Sequence, residues 1–295
     1  MQQWRIGRAT VTSIVEMEAP VPAQMFFAEP TPADVQRHQW LLPHYARPDG
    51  RFLMRIQALV IDTGERIVVV DPCVGNAKRR TIVPFWSNLQ TPFLEHFAAA
   101  GFDRQRVSLV VHTHLHADHC GWDTMLVDGE WRPTFPNARH VYTQRELDYW
   151  KAREQREAED VYADSIEPIF AAGLADIVAE DAEVAPGLKL ESTRGHTPGH
   201  VSLRLRFDGA EAVVTGDLMH HPVQCSEPLW SELGDWDADL ARQTRRRFMS
   251  VAAASGVLVI GTHFPTLPAG RIVAHGHVWR FDPDAAAPFA LGREA

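Results

Sequence analysis

Short apolar, β-branched runs recur along this chain, and most stop at a polar residue, a glycine or a proline. Ile6 to Met17 alternates between apolar and polar positions and predicts a strand. Phe52 to Ile61 and Arg66 to Val70 predict a hairpin across Asp62-Thr63-Gly64-Glu65, closed by Asp71-Pro72. Val107–Val111, Leu188–Ser192, Ala212–Val214 and Val257–Ile260 read as short buried strands, and Val201–Phe207 as a strand with one wet face. Helical spacing appears in Pro92 to Ala100, ended by Gly101, in the polar stretch Thr143 to Glu157, and in Asp160 to Gly173. Asp237 to Ser255 predicts a long amphipathic helix that packs on the core through Leu240, Thr244, Phe248 and Val251. The Ala-rich end, Ala285 to Ala295, reads as a loose tail. Periodicity alone restricts the fold to α/β or α+β.

The residues just past the short strands change the picture. Val107–Val111 runs into Thr113-His114-Leu115-His116-Ala117-Asp118-His119, three imidazoles and a carboxylate within six residues. Such groups are the usual ligands of zinc and similar divalent ions. A loop after a strand can aim them at one place, whereas a regular helix or strand of that length cannot. His196 lies in Gly195-His196-Thr197-Pro198-Gly199-His200 after another strand, Asp217 in Thr215-Gly216-Asp217, and His263 in Gly261-Thr262-His263. Polar residues that repeatedly cap apolar strands mark the edge of a layered protein where sites are built.

The series HxHxDH, GHTPGH, TGD and GTH, in this order, resembles the metallo-β-lactamase fold hydrolases over roughly residues 52 to 282. Phe135-Pro136-Asn137-Ala138-Arg139 and Gly216-Asp217-Leu218-Met219-His220-His221-Pro222 make the N-acyl homoserine lactonase-like group the nearest resemblance. The resemblance implies an α+β fold of αββα type, two mixed sheets flanked by helices with the site at one edge. It divides the chain into residues 1–50, a strand and Pro-rich extension packed on the core, and residues 51–295, the metallo-β-lactamase-fold domain. The extension is too rich in Phe, Trp and Leu for a free linker. In lactonase-like relatives such segments contribute to dimer contacts and the pocket, so a homodimer is expected.

Seven candidate ligands suit two ions better than one. The resemblance implies that His114, His116 and His196 hold the first, that Asp118, His119 and His263 hold the second, and that Asp217 bridges both. The default ion is Zn2+, with Mn2+, Co2+ and Fe2+ also compatible with a His/carboxylate set. A hydroxide bridging two such ions would attack a carbonyl at neutral pH, with Asp118 passing a proton to the leaving alkoxide. Lactonases of this group have a tyrosine three residues after the bridging Asp, and this chain has His220. An imidazole there could donate to the oxyanion, protonate the leaving group, or serve as a structural histidine. His200 and Asp71 are expected to orient the ligands.

The expected activity is therefore metal-dependent hydrolysis of a small apolar lactone or carboxylic ester, of lactonase/esterase type. The aromatic-rich N-terminal segment and Trp86 suggest the apolar cleft. Phosphotriester or β-lactam hydrolysis is the alternative on the same site. An iron-dependent persulfide dioxygenase is a lesser one, because it would use one iron and leave ligands unneeded. Composition narrows the field further. With a net charge of −9 and no long basic run, nucleic acid is not an expected substrate; Arg245-Arg246-Arg247 reads as a solvated helix face. No apolar run is long enough for a membrane span, and the first residues lack a signal-peptide core, so a cytoplasmic enzyme with reduced Cys73, Cys120 and Cys225 is expected. There is no G-x-S-x-G nucleophile motif.

Overall fold

The computed structural model describes residues 2–154 and 161–284. The chain opens with β1 (Gln2–Ile6), β2 (Ala9–Val21), α1 (Pro32–Gln36), β3 (Phe52–Asp62), β4 (Ile67–Val70), α2 (Phe93–Ala99) and β5 (Val107–Val111). It continues through α3 (Ala117–Cys120), β6 (Thr124–Val127), β7 (Glu130–Pro133), β8 (Arg139–Thr143), α4 (Gln144–Glu154), α5 (Glu167–Ala171) and β9 (Ala175–Val178). The second half is β10 (Glu183–Ala185), β11 (Leu188–Ser192), β12 (Val201–Phe207), β13 (Ala210–Val214), α6 (Ala238–Ser255), β14 (Leu258–Ile260), β15 (Ala269–His275) and β16 (Val278–Asp282).

Two mixed seven-stranded sheets result, ordered β1-β2-β3-β4-β5-β8-β9 and β10-β11-β12-β13-β14-β15-β16. They face each other across a core that includes Trp4, Val11, Leu59, Ile61 and Val111 from the first and Leu190, Leu203, Leu205, Val214 and Ile260 from the second. Alternate residues of the same strands point outward. Ile56, Ala58, Val60 and Val110 pack with Phe93 and Phe97 of α2 on one side. Val213 and Val259 pack with Met249 and Ala252 of α6 on the other. The central strands are buried on both faces, which is why they read as continuous apolar runs. This is the αββα sandwich expected from the sequence.

Several expectations need correction. Ile6 to Met17 is not one strand: Gly7, at φ 57°, turns the chain, and the second strand runs on to Val21. A Cβ on Gly7 would lie 2.1 Å from the Phe207 carbonyl oxygen, so both the conformation and the close approach require glycine. In α6 the buried stripe is Ala241, Arg245, Met249 and Ala252, one position along from the expected one, and Val251 is exposed. Arg245 is therefore not solvated; its Nη2 donates to the Trp230 carbonyl at 2.7 Å from a buried position. The helix expected over Asp160 to Gly173 is present from Tyr162 to Ala171, with its first five residues π-helical and the rest forming the short α5. The expected tail, Ala285 to Ala295, and the end of the Thr143–Glu157 stretch lie outside the described residues.

The Pro-rich segment packs on its own chain. Phe27, Val35, Leu41 and Tyr45 join the core under α6, and α1 starts with a capping box between Thr31 and Asp34. Among the described residues no helix is long and apolar enough to cross a membrane.

The loop after β4 is fastened from within. Lys78 and Arg80, both fully buried, share the Asp164 carboxylate at 3.2 and 2.7 Å. Lys78 Nζ also donates to Thr124 Oγ1, Ser165 Oγ and the Asp164 carbonyl. Asp164→Asn leaves two buried cations without their countercharge and should destabilise the fold by about 3–5 kcal/mol. A urea titration reads this as a lower midpoint at constant slope; an unchanged midpoint would show the carboxylate to be dispensable.

Candidate metal centre

The loop after β5 and the single turn of α3 divide the HxHxDH residues between two groups. In the first, His116 Nδ1 lies 2.8 Å from both His114 Nε2 and His196 Nε2. In the second, His119 Nε2 lies 3.1 Å from His263 Nε2, and Asp118 Oδ2 is 3.6 and 3.4 Å from those nitrogens. Asp217, after β13, stands between the groups with one oxygen toward each. Its Oδ2 is 3.6 Å from His114 Nε2 and 3.4 Å from His196 Nε2. Its Oδ1 is 3.3 Å from His119 Nε2 and 3.1 Å from His263 Nε2.

The donor set fits cations. All seven side chains converge in a buried or nearly buried place, where facing imidazole nitrogens cannot all be satisfied by protons between them. Asp217 Oδ1 is buried and accepts no hydrogen bond, an arrangement that is unfavourable without a positive charge. Separations of 3.1–3.6 Å in the second group are close to the edges, about 3.3–3.4 Å, of a tetrahedron with bonds of ~2.0–2.1 Å to zinc.

Four of the five imidazoles are aimed from behind, His114 with Nδ1 3.1 Å from Thr113 Oγ1. His263 Nδ1 lies 2.8 Å from the Arg55 carbonyl oxygen and His196 Nδ1 2.9 Å from Asp235 Oδ1, so Nε2 of each faces inward. Asp71 Oδ2 lies 3.1 Å from His119 Nδ1 and accepts from Thr113 Oγ1 at 2.7 Å. The Asp217 backbone N–H donates to His200 Nε2 at 2.9 Å. His200 and Asp71 thus lie where the sequence places them, behind the ligands. Burial and neighbouring imidazoles push His114, His116 and His196 well below the usual histidine range, toward the neutral form that binds metal. Burial opposes charge on His119 and His263 too, but the carboxylates of Asp217 and Asp118, joined at His119 by Asp71, together outweigh it and push both up.

The Metallo-beta-lactamase superfamily profile matches residues 53–254. The chain belongs to the metallo-beta-lactamase superfamily. Its coarse chemistry is that of a metal-dependent hydrolase of this superfamily, with His/Asp groups suited to divalent ions. Solved structures share the fold. Hydrolase AbOPH of the beta-lactamase superfamily is 23% identical, covering 95% of this chain and 96% of that one, at a TM-score of 0.78. AidC, a dizinc quorum-quenching lactonase in complex with a hexanoyl-homoserine product, is 18% identical with coverage of 95% and 96% and a TM-score of 0.77. A probable metal-dependent hydrolase from Staphylococcus aureus is 18% identical, covering 99% of both chains, at a TM-score of 0.77.

In this metallo-beta-lactamase domain a cleft of about 190 Å³ opens over the two groups. Phe26, Met54, Ile82, Val83, Trp86 and Val161 form its apolar wall. His220 lines it as well, with Nε2 3.1 Å from Asp217 Oδ2. His221 points away, 2.8 Å from the Tyr45 carbonyl, and packs against Phe52 with the rings tilted by 33°. Cys120 and Cys225 are buried in apolar clusters, and Cys225 does not line the cleft.

Sequence reasoning missed the carboxylates that hold the loops. Glu146 accepts from Leu115 N and Trp150 Nε1 through Oε1, and from Thr197 Oγ1 and Gly199 N through Oε2, so it ties the HxHxDH loop to the GHTPGH loop. His140 joins His112 and Tyr142 around buried Asp123. Glu232 and Asp235 stand beside His196 and His220. Burial pushes the Glu232 carboxyl up to about 7, with His220 opposing and Asp235 adding to the shift. None of these belongs to a motif.

Asp217→Asn replaces one shared oxygen by an amide and should lower bound metal from two ions per chain to one or none, measured by elemental analysis after dialysis. Two ions retained would contradict the shared role.

Proposed function

We propose that this protein is a binuclear metallohydrolase that opens a lactone or cleaves a carboxylic ester. The observation that carries the reading is the Asp217 carboxylate, one oxygen toward each imidazole group. Two ions held there would supply Lewis acidity and an activated water at neutral pH. The chain's own groups supply the rest. The apolar wall of Phe26, Ile82, Val83 and Trp86 takes the substrate body and excludes water. Asp118, which lines the same cleft, transfers a proton to the leaving oxygen. His220 donates a hydrogen bond to the oxygen that gains negative charge. Its backbone N–H donates to Gln224 Oε1 at 2.8 Å, which fixes the turn that presents the ring.

No Lys or Arg lines the cleft among the described residues. That favours an uncharged ester over β-lactams, which carry a carboxylate, and it leaves a neutral phosphotriester as the second reading. AidC, a lactonase of the same fold, supports the first. Zinc as the resident ion, a cytoplasmic location and a homodimer belong to the same proposal. Exposed Met25, Leu229, Leu233 and Trp236 offer the dimer a contact surface beside Phe26.

A panel of a homoserine lactone, an aryl ester, a phosphotriester and a cephalosporin, assayed with metal-replete protein, tests the reading. Lactone or ester turnover above the other two is expected. Turnover of the phosphotriester alone would replace the substrate. His220→Phe should lower kcat by about 100–1,000-fold, the range for losing one oxyanion donor, while metal content holds. An unchanged kcat would place His220 outside the chemistry.

A further inference from the structure

One ionisable side chain in the cleft has no part in that reaction. Glu232 has an oxygen within 4.8 Å of a ring nitrogen of both His196 and His220, and it forms part of the cleft wall. It lies on the far side of His196 from the first group. His196 turns Nε2 toward Asp217, while Nδ1 faces Asp235 Oδ1 at 2.9 Å and Glu232 Oε2 at 3.9 Å. Asp235 is thereby engaged with the ring, and Glu232 is not.

The Glu232 carboxylate is held in place. Its Oε2 accepts the Gly234 backbone N–H. Its backbone bridges to Phe27, and the next residue, Leu233, donates from its N–H to the Phe26 carbonyl at 2.8 Å. Among the described residues no hydrogen bond reaches Oε1, and the side chain keeps 15% of its surface exposed. No Lys or Arg in the lining pairs with this carboxylate; the groups that face it are the imidazoles of His196 and His220. Rings of Phe26 and Trp86 share the cleft, and aromatic faces tolerate a cation where they would not help an anion.

We infer that Glu232 is a specificity-determining residue that selects substrates carrying an ammonium group one or two bonds from the reacting carbonyl. A substrate whose carbonyl sits over the two groups brings such a substituent beside His196, within reach of Oε1. An N–H donated from a cation to a carboxylate in a half-desolvated wall is among the stronger hydrogen bonds. An anionic substituent meets repulsion there. The inference rests on the lactone-or-ester reading above and names the class of substrate within it.

The test compares metal-replete wild type with Glu232→Gln at about pH 7.5, where the Glu232 carboxyl is more than half ionised and an α-amino group is still more than half charged. kcat/KM is measured for α-amino-γ-butyrolactone, its N-acetyl derivative and unsubstituted γ-butyrolactone. Binding of α-amino-γ-lactam and of unsubstituted γ-lactam is followed separately by NMR titration, with metal content as a control. Wild type should prefer the ammonium form by about tenfold or more in both readouts, and Glu232→Gln should lose that preference. Equal ratios in the two proteins would overturn the inference, as would an N-acetyl lactone favoured as strongly as the ammonium one. Lactam binding that shows the preference, without turnover of any lactone, would support Glu232 and contradict the hydrolytic reading. Lactone turnover with no preference would do the reverse.

Discussion

The structure depends on a carboxylate placed between two sets of imidazoles in a buried edge of the sandwich. Asp217 faces His114 and His196 with one oxygen and His119 and His263 with the other. Burial penalises its charge, yet the surrounding rings hold it well below the usual carboxylate range. Such a concentration of donors is unfavourable in an apolar interior unless cations compensate it. The rest of the molecule is arranged to keep these groups from drifting apart or turning away.

The loops that carry the donors come from different strands, and buried acids join them. A bulge in β2 shows how local irregularity does this. Val15 pairs with Gln57 and Met17 with Ile56, so Glu16 is an extra residue that leaves the strand ladder. Its side chain turns inward. Oε2 accepts from Val74 N, and Oε1 accepts from Trp122 Nε1 and Thr91 Oγ1. Trp122 comes just after α3, so the bulge braces the turn that presents Asp118 and His119. Gly121 allows this closeness, since a Cβ there would lie 1.7 Å from the Val74 carbonyl oxygen. Glu146 does the same for the His114–His116 and His196 loops from the start of α4.

Much of this was legible in the sequence because it is local. Apolar runs set the central strands, and the polar residues that end them are the ones the fold collects at one edge. What was illegible depends on partners distant in the chain. The bulge at Glu16 looks like one more polar position in an alternating run, and Gly7 hides a turn inside it. The helix stripe was misplaced by one position because Arg245, which reads as solvent-facing, finds the Trp230 carbonyl and is buried. Glu146 and Glu232 have no neighbouring motif; only the folded chain brings them to the histidines.

Anomalous diffraction from crystals of the metal-loaded protein tests the central claim most directly. The account predicts two peaks, one bounded by His114, His116 and His196 and the other by Asp118, His119 and His263, with a different oxygen of Asp217 facing each. A single peak, or a second one at His112, Asp123 and His140, would contradict it.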